Sequence, residues 1–234
     1  MMKRKIHELL TSLIALFYPI TCVACGRVLK RHERHICLHC LAHLPETNYH
    51  LDKDNPLSMM FLGRVSVENV ASLLFFKKGE QVQKMLHELK YNGNQDIGDF
   101  LGEYYGQKLT GTPAFGSIDM ILPIPLHKKK QRLRGYNQSE CIAKGLSRSM
   151  KIPYRTDILV RTEYTETQTR KSRFSRWENV KEVFAVENKE VINGKHILIC
   201  DDVLTTGATT EAAIEKLLQA ADVKVSVVTL ACAS

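Results

Sequence analysis

The chain has 234 residues with a net charge of +8, and 44% of its residues are hydrophobic, which is ordinary for a globular protein with one sizeable domain and a small module. Its seven cysteines exclude a secreted disulfide framework, because four of them fall within residues 22–40 and the others are scattered among apolar or small residues. The positive charge favours an anionic ligand, either a polyphosphate or a nucleic acid.

Residues 1–26 combine features of a signal peptide with features of an ordinary helix. A basic start precedes an uncharged stretch at 9–26, as in a signal peptide or a membrane segment. Pro19 and several hydroxyl residues lower its hydrophobicity, and no clean cleavage site follows. One helix face is formed by Ile6, Leu9, Leu10, Leu13, Ile14 and Phe17. We expect a helix that packs on its own protein in the cytoplasm, without membrane insertion; export is the alternative.

The next segment contains two CxxC pairs, formed by Cys22, Cys25, Cys37 and Cys40. Each pair can hold a metal from one tight knuckle, and together they offer the four thiolates of a structural zinc site. A redox CxxC would not be expected twice in a polar, histidine-rich hairpin. Histidines that could replace one cysteine ligand are His32, His35 and His39. A module this short lacks a core, so zinc would supply its folding energy.

Residues 51–69 are predicted to be a linker, because turn-forming residues surround an apolar run at 57–62, which we expect to pack onto the next domain. The helix and zinc module therefore occupy residues 1–50, and the second domain occupies 70–234. That domain begins with a predicted strand at 70–76. A helix with Val82, Met85, Leu86 and Leu89 on one face is ended by Lys90-Tyr91-Asn92-Gly93, and a second helix covers 97–109.

A strongly basic segment follows a predicted strand at 119–125 and precedes a predicted helix at 139–150. Its cations are Lys128, Lys129, Lys130, Arg132 and Arg134. A charge run is usually a solvated surface. A basic loop at the carboxyl end of a strand, however, lies on the rim where α/β sheets bind ligands, and Lys and Arg suit phosphoryl groups. We therefore predict a phosphate-binding loop here.

A long polar segment at 162–180 follows a short strand predicted at 157–161. It contains Gln168, Thr169 and Arg170. Long loops without their own structure are often lids over a site, and a plain surface excursion is the equal alternative. Beyond it, residues 184–186 and 191–192 are predicted to form a short hairpin around Asn188.

The most informative stretch joins a buried strand predicted at 196–200 to an amphipathic helix predicted at 209–219. Between them lie Asp201, Asp202, Val203, Leu204, Thr205, Thr206, Gly207, Ala208 and Thr209. Two carboxylates can accept hydrogen bonds from a vicinal diol, and a small hydroxyl-rich loop opening a helix can bind a phosphate. No lysine follows Gly207, so this is not a Walker A loop. The pattern predicts a sugar-phosphate site; the alternative is an ordinary capped strand–turn–helix.

A last strand is predicted at 223–230. Strands therefore alternate with helices from residue 70 onward, and this alternation predicts an α/β fold with a mostly parallel sheet.

The segment DDVLTTGAT at 201–209 resembles the phosphoribosyl pyrophosphate (PRPP) motif of type I phosphoribosyltransferases. Together with HELKYNG, LPIPLHKKKQRLRGYNQ, QTR and the paired CxxC, it makes nearly the whole chain similar to the competence protein ComF family. The resemblance implies a type I phosphoribosyltransferase fold with an N-terminal zinc module, Mg²⁺ bound together with PRPP, and a link to DNA uptake.

The resemblance also implies roles for individual residues. Asp201 and Asp202 would be catalytic, residues 201–209 would hold the ribose and its 5′-phosphate, and residues 128–134 would bind pyrophosphate. Gln168 and Thr169 would match the lid, although Arg170 departs from the usual small or apolar residue. The resemblance leaves open a transferase with an unknown acceptor, and a non-catalytic protein that binds PRPP, single-stranded DNA or DNA-uptake proteins.

Overall fold

The computed structural model describes residues 19–162 and 183–233. The helices are α1 (Leu38–Ala42), α2 (Pro56–Met59), α3 (Gln81–Tyr91), α4 (Gln95–Thr110), α5 (Lys128–Arg134), α6 (Gln138–Met150) and α7 (Ala208–Ala220). The strands are β1 (Val70–Phe76), β2 (Met120–Pro123), β3 (Leu159–Arg161), β4 (Phe184–Val186), β5 (His196–Leu204) and β6 (Lys224–Ala233). The predicted strands at 70–76, 119–125 and 196–200 and the predicted helices at 97–109, 139–150 and 209–219 are confirmed to within a few residues.

The main sheet has the strand order β1-β6-β5-β2, and all three pairings are parallel. Val70 lies opposite Val227, and Met120 lies opposite Ile197. Parallel sheets are covered on both faces, and the nearly continuous burial of β5 and β6 agrees with this. The carboxyl ends of all four strands meet at one edge, where ligands bind in open α/β folds.

Both outer strands of this sheet are covered by neighbouring chain. Along β1, Phe75 N donates to Pro45 O at 2.8 Å and Thr47 N donates to Leu73 O at 3.0 Å. Along β2, Ile121 N donates to Pro153 O at 2.9 Å. Unpaired strand edges invite association with other chains, so these bonds protect the sheet.

Each face of the sheet carries its own apolar cluster. One face packs against α3, α4, α6 and the cysteine-rich module, whereas the other packs against α2, α7 and β4. Successive residues of β5 point to opposite faces of the sheet: Leu198 is part of the first cluster and Ile199 is part of the second. The run at 57–62 packs only in part as predicted: Leu57 and Phe61 are buried in the second cluster, whereas Met59 and Leu62 are exposed.

Helices α4 and α6 approach each other unusually closely through glycines. A Cβ built on Gly102 would lie 2.3 Å from Ile142 O, and one built on Gly145 would lie 2.0 Å from Asp99 O. Real Cβ atoms do not approach backbone oxygens so closely, so the two glycines are what permits this packing. Arg148, which pairs with Asp99 at 2.6 Å, closes the outer side of the contact.

The hairpin predicted for 184–186 and 191–192 is wrong. Strand β4 pairs antiparallel with β3 in a separate two-stranded sheet, and Lys189–Val191 forms a 3-10 turn. Bonds from Thr162 N to Val183 O and from Glu187 N to Ile158 O extend this pairing at both ends. The predicted pairing failed because the true partner of β4 lies upstream of a long intervening segment.

Two predictions fall outside the described residues: the helix at the N-terminus and the lid at Gln168, Thr169 and Arg170. No helix in the part of the chain that the structure describes has the length and apolar character needed to cross a membrane.

Candidate functional site

Asp201 and Asp202 lie within β5 rather than after it, because the strand continues to Leu204. Asp201 Oδ1 accepts a hydrogen bond from Ser139 Oγ at 2.7 Å and another from Asp202 N at 2.8 Å. Both aspartates are partly buried near the carboxyl edge of the sheet. The last part of β5 therefore places two carboxylates at the carboxyl edge of the sheet, where the sequence predicts a sugar site.

Asp201 is in an unusual electrostatic environment. Burial, together with the neighbouring charge of Asp202, raises the pKa of Asp201 from 3.8 to about 7. The hydrogen bonds from Ser139 and from the backbone act in the opposite direction. Arg161 lies close enough for its charge to interact with Asp201, although burial lowers the pKa of this guanidinium. Near neutral pH Asp201 is therefore partly protonated in the ligand-free protein.

Lys90 is a residue of this site that the sequence did not reveal. Its Nζ lies 3.0 Å from Asp202 Oδ2, and only 24% of the lysine side chain and 15% of the aspartate side chain are exposed. The periodicity of α3 identified the apolar face of this helix, and Lys90 was predicted only as part of the segment that ends the helix. The signal that could have found it is the segment HELKYNG, which resembles the ComF family but was not assigned a function.

The loop after β5 presents small and hydroxyl-bearing residues to solvent. Thr205 and Thr206 are exposed, and Gly207 has a left-handed backbone with φ of 77°. A Cβ on Gly207 would lie 3.2 Å from Phe61 Cζ, so the ring of Phe61 supports this turn. Helix α7 begins at Ala208 and is 13 residues long. Its unpaired backbone N–H groups and its dipole favour an anion at this point.

Glu211 is the acidic residue in the first turn of α7, where it would oppose an anion. It is paired with the guanidinium of Arg64. The ion pair leaves the start of α7 suited to a phosphate.

The basic segment is a helix, so the prediction of a loop at 128–134 is wrong. His127 Nδ1 accepts a hydrogen bond from Lys129 N at 3.1 Å and caps α5, and Gly135 ends the helix in the left-handed conformation. None of the residues of α5 is buried, and Leu133 is 87% exposed. Without an apolar face this helix has no periodic signal in the sequence.

Arg134 at the end of α5 is held in place from two sides. Its guanidinium carbon lies 5.2 Å from the ring centroid of Tyr91, and its NH1 donates to Gln138 Oε1 at 2.6 Å. Because Tyr91 follows Lys90 directly in α3, the end of α3 contacts both the carboxylate pair and the basic helix.

The four cysteines converge as predicted. Their sulfur atoms all lie within 4.8 Å of one another; Cys25 is exposed and the other three are buried. The sulfur atoms also accept hydrogen bonds, such as the one from Cys37 N to Cys22 Sγ at 3.3 Å. A hydrogen bond from the backbone of Arg27 lowers the pKa of Cys25 from 9.0 to about 6. This group of donor atoms could hold a metal ion.

Two of the three histidines considered as substitute ligands make ring contacts elsewhere. The ring of His35 lies 5.8 Å from that of Phe100, and the ring of His39 stacks on that of His43 at 4.5 Å. Within the described residues, His32, His35 and His39 are not part of the group that could hold a metal ion. The geometry therefore favours cysteine at all four positions.

Known proteins are similar to this chain over part or most of its length. A family model described as phosphoribosyl transferase domain matches residues 137–233. The chain is 28% identical to "DNA utilization protein YhgH" of Shigella flexneri over 85% of this chain and 84% of that one. It is 36% identical to "Competence protein F" of Haemophilus influenzae over 43% and 44%, and 26% identical to "Competence protein ComFC" of Bacillus subtilis over 85% and 78%.

Proposed function

Because the chain is a ComF-family, phosphoribosyltransferase-like protein, we propose that it binds PRPP together with Mg²⁺ at the carboxyl edge of the sheet and transfers the phosphoribosyl group to an acceptor. The observation that supports this most strongly is the position of Asp201 and Asp202. They lie beside an exposed hydroxyl-rich loop that leads directly into α7.

In this proposal the ribose lies over the carboxylate pair. Asp201 and Asp202 accept hydrogen bonds from the two ring hydroxyls, and residues Thr205–Thr209 with the start of α7 hold the 5′-phosphate. Ser139 orients Asp201 through its 2.7 Å hydrogen bond. Arg64 assists indirectly, because its positive charge offsets that of Glu211 at the phosphate end.

The reaction would begin with cleavage of the bond between the anomeric carbon and pyrophosphate. The ring then develops positive charge, which the two carboxylates stabilise from a position fixed before the reaction. The cations of α5 stabilise the departing pyrophosphate, and an acceptor nucleophile bonds to the anomeric carbon. Mg²⁺ bound with PRPP would offset charge on the leaving group. It prefers few protein ligands, and Asp201 and Asp202 are the carboxylates of this site that suit it.

The four cysteines would hold a structural zinc ion. Four thiolates close the tetrahedral shell, so the metal would have no open position for catalysis. Cys22, Cys37 and Cys40 belong to the same apolar cluster as α4. Zinc would therefore stabilise both its own module and the face of the domain on which the module packs.

The names of the relatives point to DNA utilization and competence. We infer the same biological setting for this chain, a cytoplasmic role in the handling of DNA taken up by the cell. A non-catalytic alternative follows from the surface of α5: a helix of lysines and arginines with exposed Leu133, next to Tyr91, which is 64% exposed. Cations with an adjacent aromatic ring suit single-stranded DNA.

Calorimetric titration of the zinc-loaded protein with PRPP, with and without Mg²⁺, tests the proposal. We expect binding that requires Mg²⁺ and is lost in Asp202→Ala, while the zinc content of the variant is unchanged. Unchanged affinity in Asp202→Ala would contradict the assignment. A titration with single-stranded DNA separates the alternative, because DNA binding through several cations weakens steeply with salt.

A further inference from the structure

We propose that Lys90 is the residue by which this site distinguishes a ribose 5-phosphate that carries a diphosphate at its anomeric carbon from one that does not. In the free site its ammonium pairs with Asp202, and on binding it moves to the diphosphate. This inference rests on the proposed function, since it concerns the same ligand site.

The backbone around Lys90 is fixed by contacts on both sides of the residue. Leu89 is fully buried, and its carbonyl accepts a hydrogen bond from the hydroxyl of Tyr136. Tyr91 stacks on the guanidinium of Arg134. Lys90 is therefore held at a defined point where α3 meets the connection between α5 and α6, unlike a lysine on a free helix surface.

The side chain of Lys90 is also constrained. It is 24% exposed and its Nζ lies 3.0 Å from Asp202 Oδ2, whose side chain is 15% exposed. An ion pair enclosed to this degree gives up much of its hydration, so each charge depends on the other. Lys90 lies outside residues 137–233, which match the phosphoribosyl transferase family model. The reaction proposed above gives this cation no role.

Lys90 contacts Oδ2 of Asp202, and in this scheme a ribose hydroxyl donates to that same oxygen. When a hydroxyl takes Oδ2 of Asp202, the enclosed ammonium needs another anion within reach. The 5′-phosphate is not that anion, because Thr205–Thr209 would hold it. The diphosphate is attached to the carbon next to the diol, and the Tyr91–Arg134 contact places α5, with its cations, on the side of Lys90.

Ribose 5-phosphate would therefore displace Lys90 from Asp202 without giving the ammonium another anion to pair with. PRPP supplies that anion as its diphosphate. The ion pair thus imposes a penalty on sugars that lack the anomeric diphosphate. Selectivity arises in part from this penalty, in addition to attraction for the correct ligand.

The test compares two ligands on matched variants. PRPP and ribose 5-phosphate are titrated, both with Mg²⁺, into zinc-loaded wild type, Lys90→Met, Lys90→Arg and Lys84→Met. Lys84 is an exposed lysine on the same helix and serves as the control. We expect Lys90→Met to lose about tenfold to a hundredfold in affinity for PRPP, the range of one charge-assisted hydrogen bond. Its affinity for ribose 5-phosphate should stay the same or rise.

Lys90→Arg should recover part of the preference for PRPP, and Lys84→Met should match the wild type. If Lys90→Met loses affinity for PRPP and for ribose 5-phosphate by the same factor, the ion pair has only a structural role. That result, or unchanged affinity for both ligands, would overturn this inference but not the proposed function. A wild type that binds neither ligand would overturn the proposed function as well. Thermal melts verify folding; if Lys90→Met is unfolded, Lys90→Gln takes its place under the same criteria.

Discussion

Ser139 Oγ, in the first turn of α6, donates a hydrogen bond to Asp201 Oδ1 across 62 residues of sequence. The hydroxyl is held by the helix, whose cap at Asn137 is itself tied to Ile124 O at 3.0 Å. The segment that follows the basic helix therefore determines where the first carboxylate of the site points.

We predict that Ser139→Ala shifts the pH dependence of PRPP binding to higher pH. The hydroxyl stabilises the ionised carboxylate, so its removal raises the pKa of Asp201 further. The ionised form accepts the ribose hydroxyls, and affinity at neutral pH should fall about tenfold. Calorimetric titrations between pH 6 and 9 measure this, with Ser147→Ala on the same helix as the control. Superimposable pH profiles for Ser139→Ala and wild type would contradict the assigned role.

Asp201→Asn should stabilise the ligand-free protein while weakening PRPP binding. The folded-state pKa of about 7 lies above the ordinary value of 3.8. Between these values the folded state binds a proton that the unfolded state does not, so stability falls as pH rises, and the loss is complete above pH 7. Asparagine removes this loss and can still accept the bonds at Oδ1. We expect the Tm to rise by roughly 3 °C or more at pH 8 and by less at pH 5.5. A Tm gain that does not change with pH would assign the effect to something other than the carboxylate charge.

Gly102→Ala should destabilise the fold by about 2–4 kcal/mol, because the new methyl group would meet Ile142 O at 2.3 Å and force α4 and α6 apart. Chemical denaturation measures the difference. Gly111→Ala is the matched control, since its nearest contact would be Lys108 O at 3.7 Å. The close-packing explanation requires that the two variants differ, so similar stabilities would refute it.

Gly207→Ala should weaken PRPP binding by about tenfold. Both the left-handed backbone and the ring of Phe61 oppose a side chain there, so the loop or the ring must shift. Gly194→Ala introduces the same backbone strain, with φ of 73°, but no neighbour lies within 4 Å of its Cβ and it lies away from the loop. Both variants should lose about 1 kcal/mol of stability, while only Gly207→Ala should lose affinity. Equal affinities would show that this turn does not hold the phosphate.

Cys22→Ser should abolish zinc binding and lower the free energy of unfolding by more than about 2 kcal/mol, because metal binding in a small module contributes folding energy. Zinc content is measured by a chelating dye after the protein is denatured. The control is Cys141→Ser, which changes a buried thiol outside the four-cysteine group. Full zinc content in Cys22→Ser would show that this cysteine is not a ligand.

The sequence predicted the parts of the site that are contiguous. Asp201, Asp202 and the following loop form one segment, and the order strand, loop, helix carries its own signal. Lys90, Ser139 and Phe61 reach the site from three other segments, and only packing of the sheet and helices brings them there. The basic segment was mistaken for a loop because periodicity detects buried faces, and α5 has none. Its caps, His127 and Gly135, were the available signals.

The order of strands in the main sheet has a consequence for synthesis of the protein on the ribosome. Strand β1 pairs with β6 rather than with a strand near it in sequence, and the hydrogen bond from Ser72 Oγ to Thr229 O at 3.4 Å spans 157 residues. During synthesis, β1 and the apolar face of α3 therefore leave the exit tunnel before β6, the strand that pairs with β1, has been made. Folding should be late and slow, and the nascent chain should depend on chaperones that shield apolar strands.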